Sequence, residues 1–344
     1  MRLLAALLLG LTATSAPRTE HSPLEIGVVY WSMNIAGQVA MRRGLEQEAV
    51  TLRHDPSHRP IRLTELVGGD GQAGVDHQLA EMDQLEARKP DAIILQPIDS
   101  AALSGPVLRA NRAGIPVVAY DQYVLHGHLA CFLASNNLLA GHLDGEYLAN
   151  RFRGRSRASP LRLAIVEYPY VSSTVDRVDG LLDALTQAKL PYRIVGRYEA
   201  VEPVAGAAVG RALLHDHPAG TLDAVFCIND GGGLAVADAF ERAHRHDTVF
   251  ATIDGDPRAV ASIRRGGAIA IDTAQFCGPL GAESLRWTYA LLAGKPVPRQ
   301  VLLTVFPVTR ENLGAYPGWM GPIPARIRKP WPPHDLVPGT QVDW

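Results

Sequence analysis

The sequence predicts an α/β protein built as two doubly wound parallel-sheet lobes. Three observations carry that reading: short apolar runs that do not alternate with polar residues, amphipathic stretches of helical period between them, and a restart of the pattern halfway along the chain. Strands that are apolar at successive residues are buried on both faces, as parallel strands are. A helix between two such strands makes a right-handed crossover almost by default. A chain of 344 residues also exceeds what one hydrophobic core usually supports.

The runs of the first half are Glu25–Tyr30 (EIGVVY), Ile61–Val67 (IRLTELV), Ala92–Gln96 (AIILQ) and Pro116–Tyr120 (PVVAY). Helical periodicity lies between them at 39–49, 74–88 and 101–113, with Leu79, Met82, Leu85 and Glu86 spaced along one helical face. In the second half Leu161–Glu167, Tyr192–Tyr198, Ala224–Ile228 and Val249–Ile253 read as strands. Helices at 175–188, 205–215, 233–242 and 257–264 separate them, and a last helix at 279–292 precedes a strand over Val301–Val308. From Tyr316 onward Pro and Gly crowd the chain, so 317–344 is expected as an extended tail on the surface.

Residues 1–16 read as a cleaved secretory signal: Arg2, an apolar run from Leu3 to Leu11, then the small residues Ala13-Thr14-Ser15-Ala16. Cleavage after Ser15 is better than after Ala16, which would leave Pro17 behind the cut. The run is too short to span a bilayer, and no cysteine is placed for lipidation. A formal net charge of -2 with no basic cluster argues against nucleic acid as a partner. Cys131, Cys227 and Cys277 read as small buried hydrophobes, with a Cys227–Cys277 bridge as the alternative.

Several motif lookalikes carry no chemistry. Gly69-Asp70-Gly71-Gln72-Ala73-Gly74 spells GxGxxG, but it follows the second strand and not the first, so it reads as turn glycines. The pairs His126/His128, His215/His217 and His244/His246 have no nearby third ligand, so no metal is expected. Neither a G-x-S-x-G elbow nor an HExxH motif is present, and no cofactor or enzymatic activity is expected.

In open α/β sheets ligands bind beyond the carboxyl ends of the strands, so the residues that follow each run are the informative ones. They are Trp31-Ser32-Met33-Asn34, Asp121-Gln122-Tyr123, Asn229-Asp230 with three glycines, Asp254-Gly255-Asp256, and Gln275. A sugar hydroxyl both donates and accepts, and carboxylates and amides meet it with fixed geometry.

These strand ends carry a family resemblance over residues 24–309. IGVVYWSMNIAGQVAMRRGLEQEA, DAIILQPIDSAAL, AGIPVVAYDQ, LASNNLLAGHLDGEYLA, STVDRVDGLLDAL, DAVFCINDGGGLAVADAF and ATIDGDPRAVASIRRGG occur in series. Together they resemble the type I periplasmic binding proteins of the ribose- and galactose-binding kind. The resemblance implies a periplasmic, monomeric protein that closes two lobes about a three-segment hinge onto a sugar or similar polyol. The expected partner is an inner-membrane ABC permease, or alternatively a chemoreceptor or sensor kinase. It places the hinge near Ser135-Asn136, Gln275-Phe276 and Phe306-Pro307, which assigns 24–135 and 276–306 to the first lobe and 136–275 and 307–316 to the second.

Carried over residue by residue, Asp121, Arg177, Asn229, Asp254 and Gln275 match the family's ligand contacts, with Asn34 and Gln122 beside them. Two departures stand out. The aromatic pair that follows the first-loop Asn in sugar binders is here Ile35-Ala36, which leaves Tyr30 and Trp31 as candidates for the stacking surface. Gln122 stands where sugar binders often have Arg, which disfavours an acidic ligand and puts ribose itself in doubt.

Overall fold

The computed structural model describes residues 22–55, 57–336 and 340–344; the proposed signal at 1–16 lies outside the described residues. The first lobe is laid down as β1 (Leu24–Tyr30), α1 (Ala36–His54), β2 (Ile61–Val67), α2 (Gly71–Arg88), β3 (Ala92–Leu95), α3 (Ser104–Arg112), β4 (Val117–Tyr120) and β5 (Cys131–Ser135). The chain then builds a second lobe from α4 (Asn137–Arg151), β6 (Leu161–Glu167), α5 (Ser172–Gln187), β7 (Tyr192–Glu199), α6 (Pro203–Asp216) and β8 (Ala224–Cys227). This lobe continues with α7 (Asp230–Arg242), β9 (Val249–Asp254), α8 (Pro257–Arg265) and β10 (Ile269–Ala274). Helix α9 (Cys277–Leu292) and β11 (Gln300–Leu303) return to the first lobe, and β12 (Phe306–Thr309) to the second. Beyond them lie the short strands β13 (Ile327–Arg328), β14 (Asp335–Leu336) and β15 (Gln341–Asp343).

The sheets order as β15-β11-β5-β4-β3-β1-β2 and β12-β10-β9-β8-β6-β7, parallel except for β15 and β12. Successive strand residues feed opposite layers. Val28, Tyr30, Ile94, Val118 and Tyr120 pack with Met41, Leu45, Leu280 and Leu285 from α1 and α9. Their neighbours Val29, Trp31, Ile93, Leu95 and Val117 pack with Met82, Leu85, Leu103 and Val107 from α2 and α3. Burial on both faces is why β3, β4, β5 and β8 show no alternation. No helix among the described residues is long and apolar enough to cross a membrane.

Among the described residues three helix pairs meet backbone to backbone, α6 with α7 at Gly206 and Gly232 among them. A Cβ on Gly141 of α4 would lie 1.8 Å from the carbonyl oxygen of Arg177 on α5. A Cβ on Gly281 of α9 would lie 1.8 Å from that of Met41 on α1.

The structure corrects the expected strands at two places and bears out the reading of the cysteines as small buried hydrophobes. The single strand over Val301–Val308 is two strands in two sheets, with the passage between lobes at Thr304-Val305: Phe306 already pairs with Ala274 of the second lobe. The other passages lie at Ser135-Asn136 and Gln275-Phe276. Strand β5 was absent from the expected runs: it has only four apolar residues before Ser135 and lacks a β-branched residue. The cysteines are all free and buried, since Cys227 sits in the second-lobe sheet while Cys277 opens α9 against the first lobe.

The tail runs largely along the surface but is tied down at several points. Trp331 is buried on α4, edge-on to Tyr147 at 5.6 Å, and its indole N–H donates to Glu146, which also pairs with Lys329. The chain then returns to the first lobe, where β15 pairs antiparallel with β11.

Candidate functional site

The carboxyl ends of both sheets face each other across the hinge, and the space between them is lined by Trp31, Gln38, Met41, Asp121, Gln122, Ser173, Thr174, Arg177, Asn229, Asp254 and Gln275. As the lobes stand the cleft is narrow, with room for little more than a water molecule or two. Its lips meet directly. Ser100 N donates to Tyr170 O at 3.2 Å, Tyr123 N to Ser172 Oγ at 2.9 Å, and Ser173 N to Gln122 Oε1 at 3.2 Å. The lobes are therefore closed on the site.

Arg177, 3% exposed, is the only buried cation on this wall among the described residues. It rises from the first turns of α5, where the glycine contact with α4 fixes its backbone. Its Nε donates to Asn137 Oδ1 at 2.9 Å, and its Nη1 to Ile228 O at 2.7 Å and Asp254 Oδ1 at 3.0 Å. Asp254 ends β9 with φ at +141°, a conformation that L residues rarely adopt. Its Oδ1 also accepts from Gln275 Nε2 at 2.6 Å. The Oε1 of Gln275 is buried with no partner among the described residues.

Across the cleft Asp121 follows β4 at φ +67° and accepts from Gln96 Nε2 at 3.0 Å. Gln96 in turn accepts from the backbone N–H of Trp31 at 3.2 Å. One buried amide thus ties together two strand ends of the first lobe. Asn229 caps α7, accepting from Gly232 N and donating to Val201 O, so part of its bonding capacity is spent within the protein. The indole of Trp31 forms an apolar wall, tilted against Tyr168 of the opposite lobe at 5.9 Å between centroids.

Seven of the nine residues singled out from sequence line this cleft: Trp31, Asp121, Gln122, Arg177, Asn229, Asp254 and Gln275. Tyr30 does not. It is the preceding residue of β1 and so points into the opposite layer, where its hydroxyl bonds Glu65 and Arg42 lies over its ring. Asn34 does not either. It is exposed and donates to Asp70 Oδ2 at 2.5 Å, outside the cleft. Sequence reasoning missed Gln96 and Asn137, which orient Asp121 and Arg177. Gln96 closes the run AIILQ, so the strand-end criterion should have caught it.

The acidic groups crowd around one guanidinium. Burial pushes Asp254 up to about 6 against the pull of Arg177, and pushes Asp121 upward in the same way. Beneath them burial holds Asp144, Asp230 and Asp272 well above the ordinary carboxylate range. A carboxyl that keeps its proton more tightly folded than unfolded binds more protons in the folded state between its two pKa values. With Asp254 raised from 3.8 to about 6, the ligand-free protein should therefore gain stability as pH falls from about 6.5 toward 4.5. The affinity of any ligand whose hydroxyl donates to the ionised Asp254 should move the other way, to roughly tenfold weaker one unit below its midpoint. Melting curves and calorimetry across this range check the opposed signs; parallel trends would contradict the assignment.

A family model described as periplasmic binding protein domain matches residues 26–296. The ribose import binding protein of Escherichia coli strain K12 is 26% identical over 273 residues, covering 79% of this chain and 86% of its own length. The D-ribose/D-allose-binding protein of Pseudomonas aeruginosa is 28% identical over 229 residues, covering 63% and 68%. Among solved structures, the Caulobacter myo-inositol binding protein bound to myo-inositol aligns with a TM-score of 0.75 at 22% identity, covering 87% of this chain and 97% of that one.

Proposed function

Because the chain belongs to the periplasmic binding protein domain family, we propose that it captures a monosaccharide or cyclic polyol by hinge closure and delivers it to an ABC permease. One observation carries the reading. Asp121, Arg177, Asn229, Asp254 and Gln275 come from separate elements of both lobes and converge, beside an indole wall, on one small cleft. Carboxylate acceptors, guanidinium donors and amides that do both match a ring of hydroxyls. An aromatic face suits the apolar side of such a ring.

Asp121, Asp254 and Gln275 accept from hydroxyls in this reading, Arg177 donates to ring or hydroxyl oxygens, and Asn229 gives what its capping role leaves free. Binding needs no turnover, and ligand contacts in both lobes make closure the signal that the permease reads. The protein works as an exported monomer in the periplasm.

Calorimetry with D-ribose, D-allose and myo-inositol tests the proposal, with small-angle scattering on the same samples. At least one of the three should bind and reduce the radius of gyration. Trp31→Ala should weaken that binding and abolish the accompanying change in tryptophan fluorescence. Silence from all three sugars, or binding without compaction, would overturn it.

A further inference from the structure

Residues 316–331 lie beyond the segment that the family model matches, yet they touch the site from behind. The indole Nε1–H of Trp319 donates to the carbonyl oxygen of Asp254 at 2.6 Å, and the hydroxyl of Tyr316 donates to that of Gln275 at 3.2 Å. The tail thus holds the backbone of two adjoining cleft residues that themselves form a side-chain pair.

Asp254 has the greater need of such support. A non-glycine residue at φ +141° persists only where its surroundings over-determine it. Its carbonyl accepts from the amide of Gln275 at 2.9 Å and from Trp319, so one restraint comes from the second hinge passage and one from the tail.

Trp319 is itself fixed on the first lobe. Its carbonyl accepts from Gly278 N at 2.8 Å. Its Cζ2 lies 3.9 Å from where a Cβ on Gly37 would stand, and the carboxylate of Asp254 lies 3.8 Å from the same point. The indole and the carboxylate therefore converge on the first turn of α1, which is a wall of the cleft. Tyr316 packs between Phe276 and Phe306, at 6.3 and 5.6 Å, on the second hinge passage and at the second-lobe end of the third.

We propose that Trp319, assisted by Tyr316, is a positioning residue of the ligand site: it holds the unfavourable backbone of Asp254 that aims its carboxylate at Arg177 and the ligand. The proposal rests on reading the cleft as a sugar site, and the test separates the two.

Trp319→Phe keeps a ring in place and deletes the donor. Trp331→Phe deletes the other tail indole donor, whose partner Glu146 lies away from the cleft, and serves as the control for general loosening of the tail. Both variants and the wild type are titrated with D-ribose, D-allose and myo-inositol. Exchange of the Gln275 backbone amide, which bonds Asp254 O, is followed in the sugar-free proteins. Trp319→Phe should lose roughly tenfold in affinity for whichever sugar binds, and speed Gln275 exchange by a similar factor, the usual scale for one buried hydrogen bond. Trp331→Phe should change neither, even where it lowers the melting temperature as much. Wild-type affinity and exchange in Trp319→Phe, or equal effects in Trp331→Phe, overturn the proposal. If the wild type binds none of the three sugars, the functional reading fails and exchange alone decides: faster exchange supports the positioning role, and unchanged exchange refutes it.

Discussion

Arg177→Ala should weaken ligand binding by at least about 30-fold, and up to several thousand-fold, the span expected when one partner of a buried charged pair is removed. The guanidinium is bound at once to Asn137, Ile228 O and Asp254, and it is the cation that keeps Asp254 and Asp121 from rising further. Its loss removes the proposed ligand donor and leaves two buried carboxyls that favour their neutral forms, so the proposed acceptors weaken together with the donor. Arg177→Lys retains charge without the planar fork and should recover only part of the affinity. Calorimetry on variants shown to be folded by circular dichroism checks this. Affinity within threefold of wild type for Arg177→Ala would remove Arg177 from the site.

Gly141→Ala and Gly281→Ala should each destabilise the protein by about 3 kcal/mol or more, at or above the upper end for overpacking, because the added carbon meets backbone that cannot rotate away. Separations of 1.8 Å to the carbonyl oxygens of Arg177 and Met41 require the helices to part by more than an ångström. The two variants differ in what else they do. Parting α4 from α5 moves the backbone of Arg177, so Gly141→Ala should also lose affinity, whereas Gly281→Ala strains α1 against α9. Gly105→Ala in α3 is the contrasting case: its Cβ would meet only the end of Arg109 at 3.8 Å, so it should be neutral or stabilising by up to about 1 kcal/mol. Thermal denaturation of the three variants checks the ranking, and an unshifted melting temperature for Gly141→Ala would contradict the close packing.

The two-lobed α/β plan was legible because burial on both faces of a parallel strand writes itself as an unbroken apolar run, as in AVFCI and AIILQ. The site was legible where the strand end alone decides position: Asp254 closes its strand, Asp121 and Gln275 follow theirs directly, and Asn229 comes two residues after its own. It was not legible where the side-chain face decides. Tyr30 and Trp31 are neighbours with equal claims in one dimension, but the alternation of β1 sends one to the helices and the other to the cleft. Asn34 lies beyond the strand, where no periodicity fixes direction. The third passage was misplaced because Val301–Val308 is apolar but for Thr304, and one polar residue is too weak a mark of the point at which the chain leaves one sheet for the other. The tail was the least legible segment. Pro and Gly exclude a long helix correctly, but Trp319, Lys329 and Trp331 find partners between 41 and 185 residues away, and only the assembled fold brings those together.

The placement of β15 bears on how the molecule meets its neighbours. Without it, β11 would present a row of free backbone donors and acceptors, the template on which extended segments of other chains add. Gln341–Asp343 fill that lane, with Arg299 N donating to Asp343 O at 2.7 Å. Their own outer side is only three residues long and runs against the direction of the sheet. So brief a border gives a foreign strand little to zip onto.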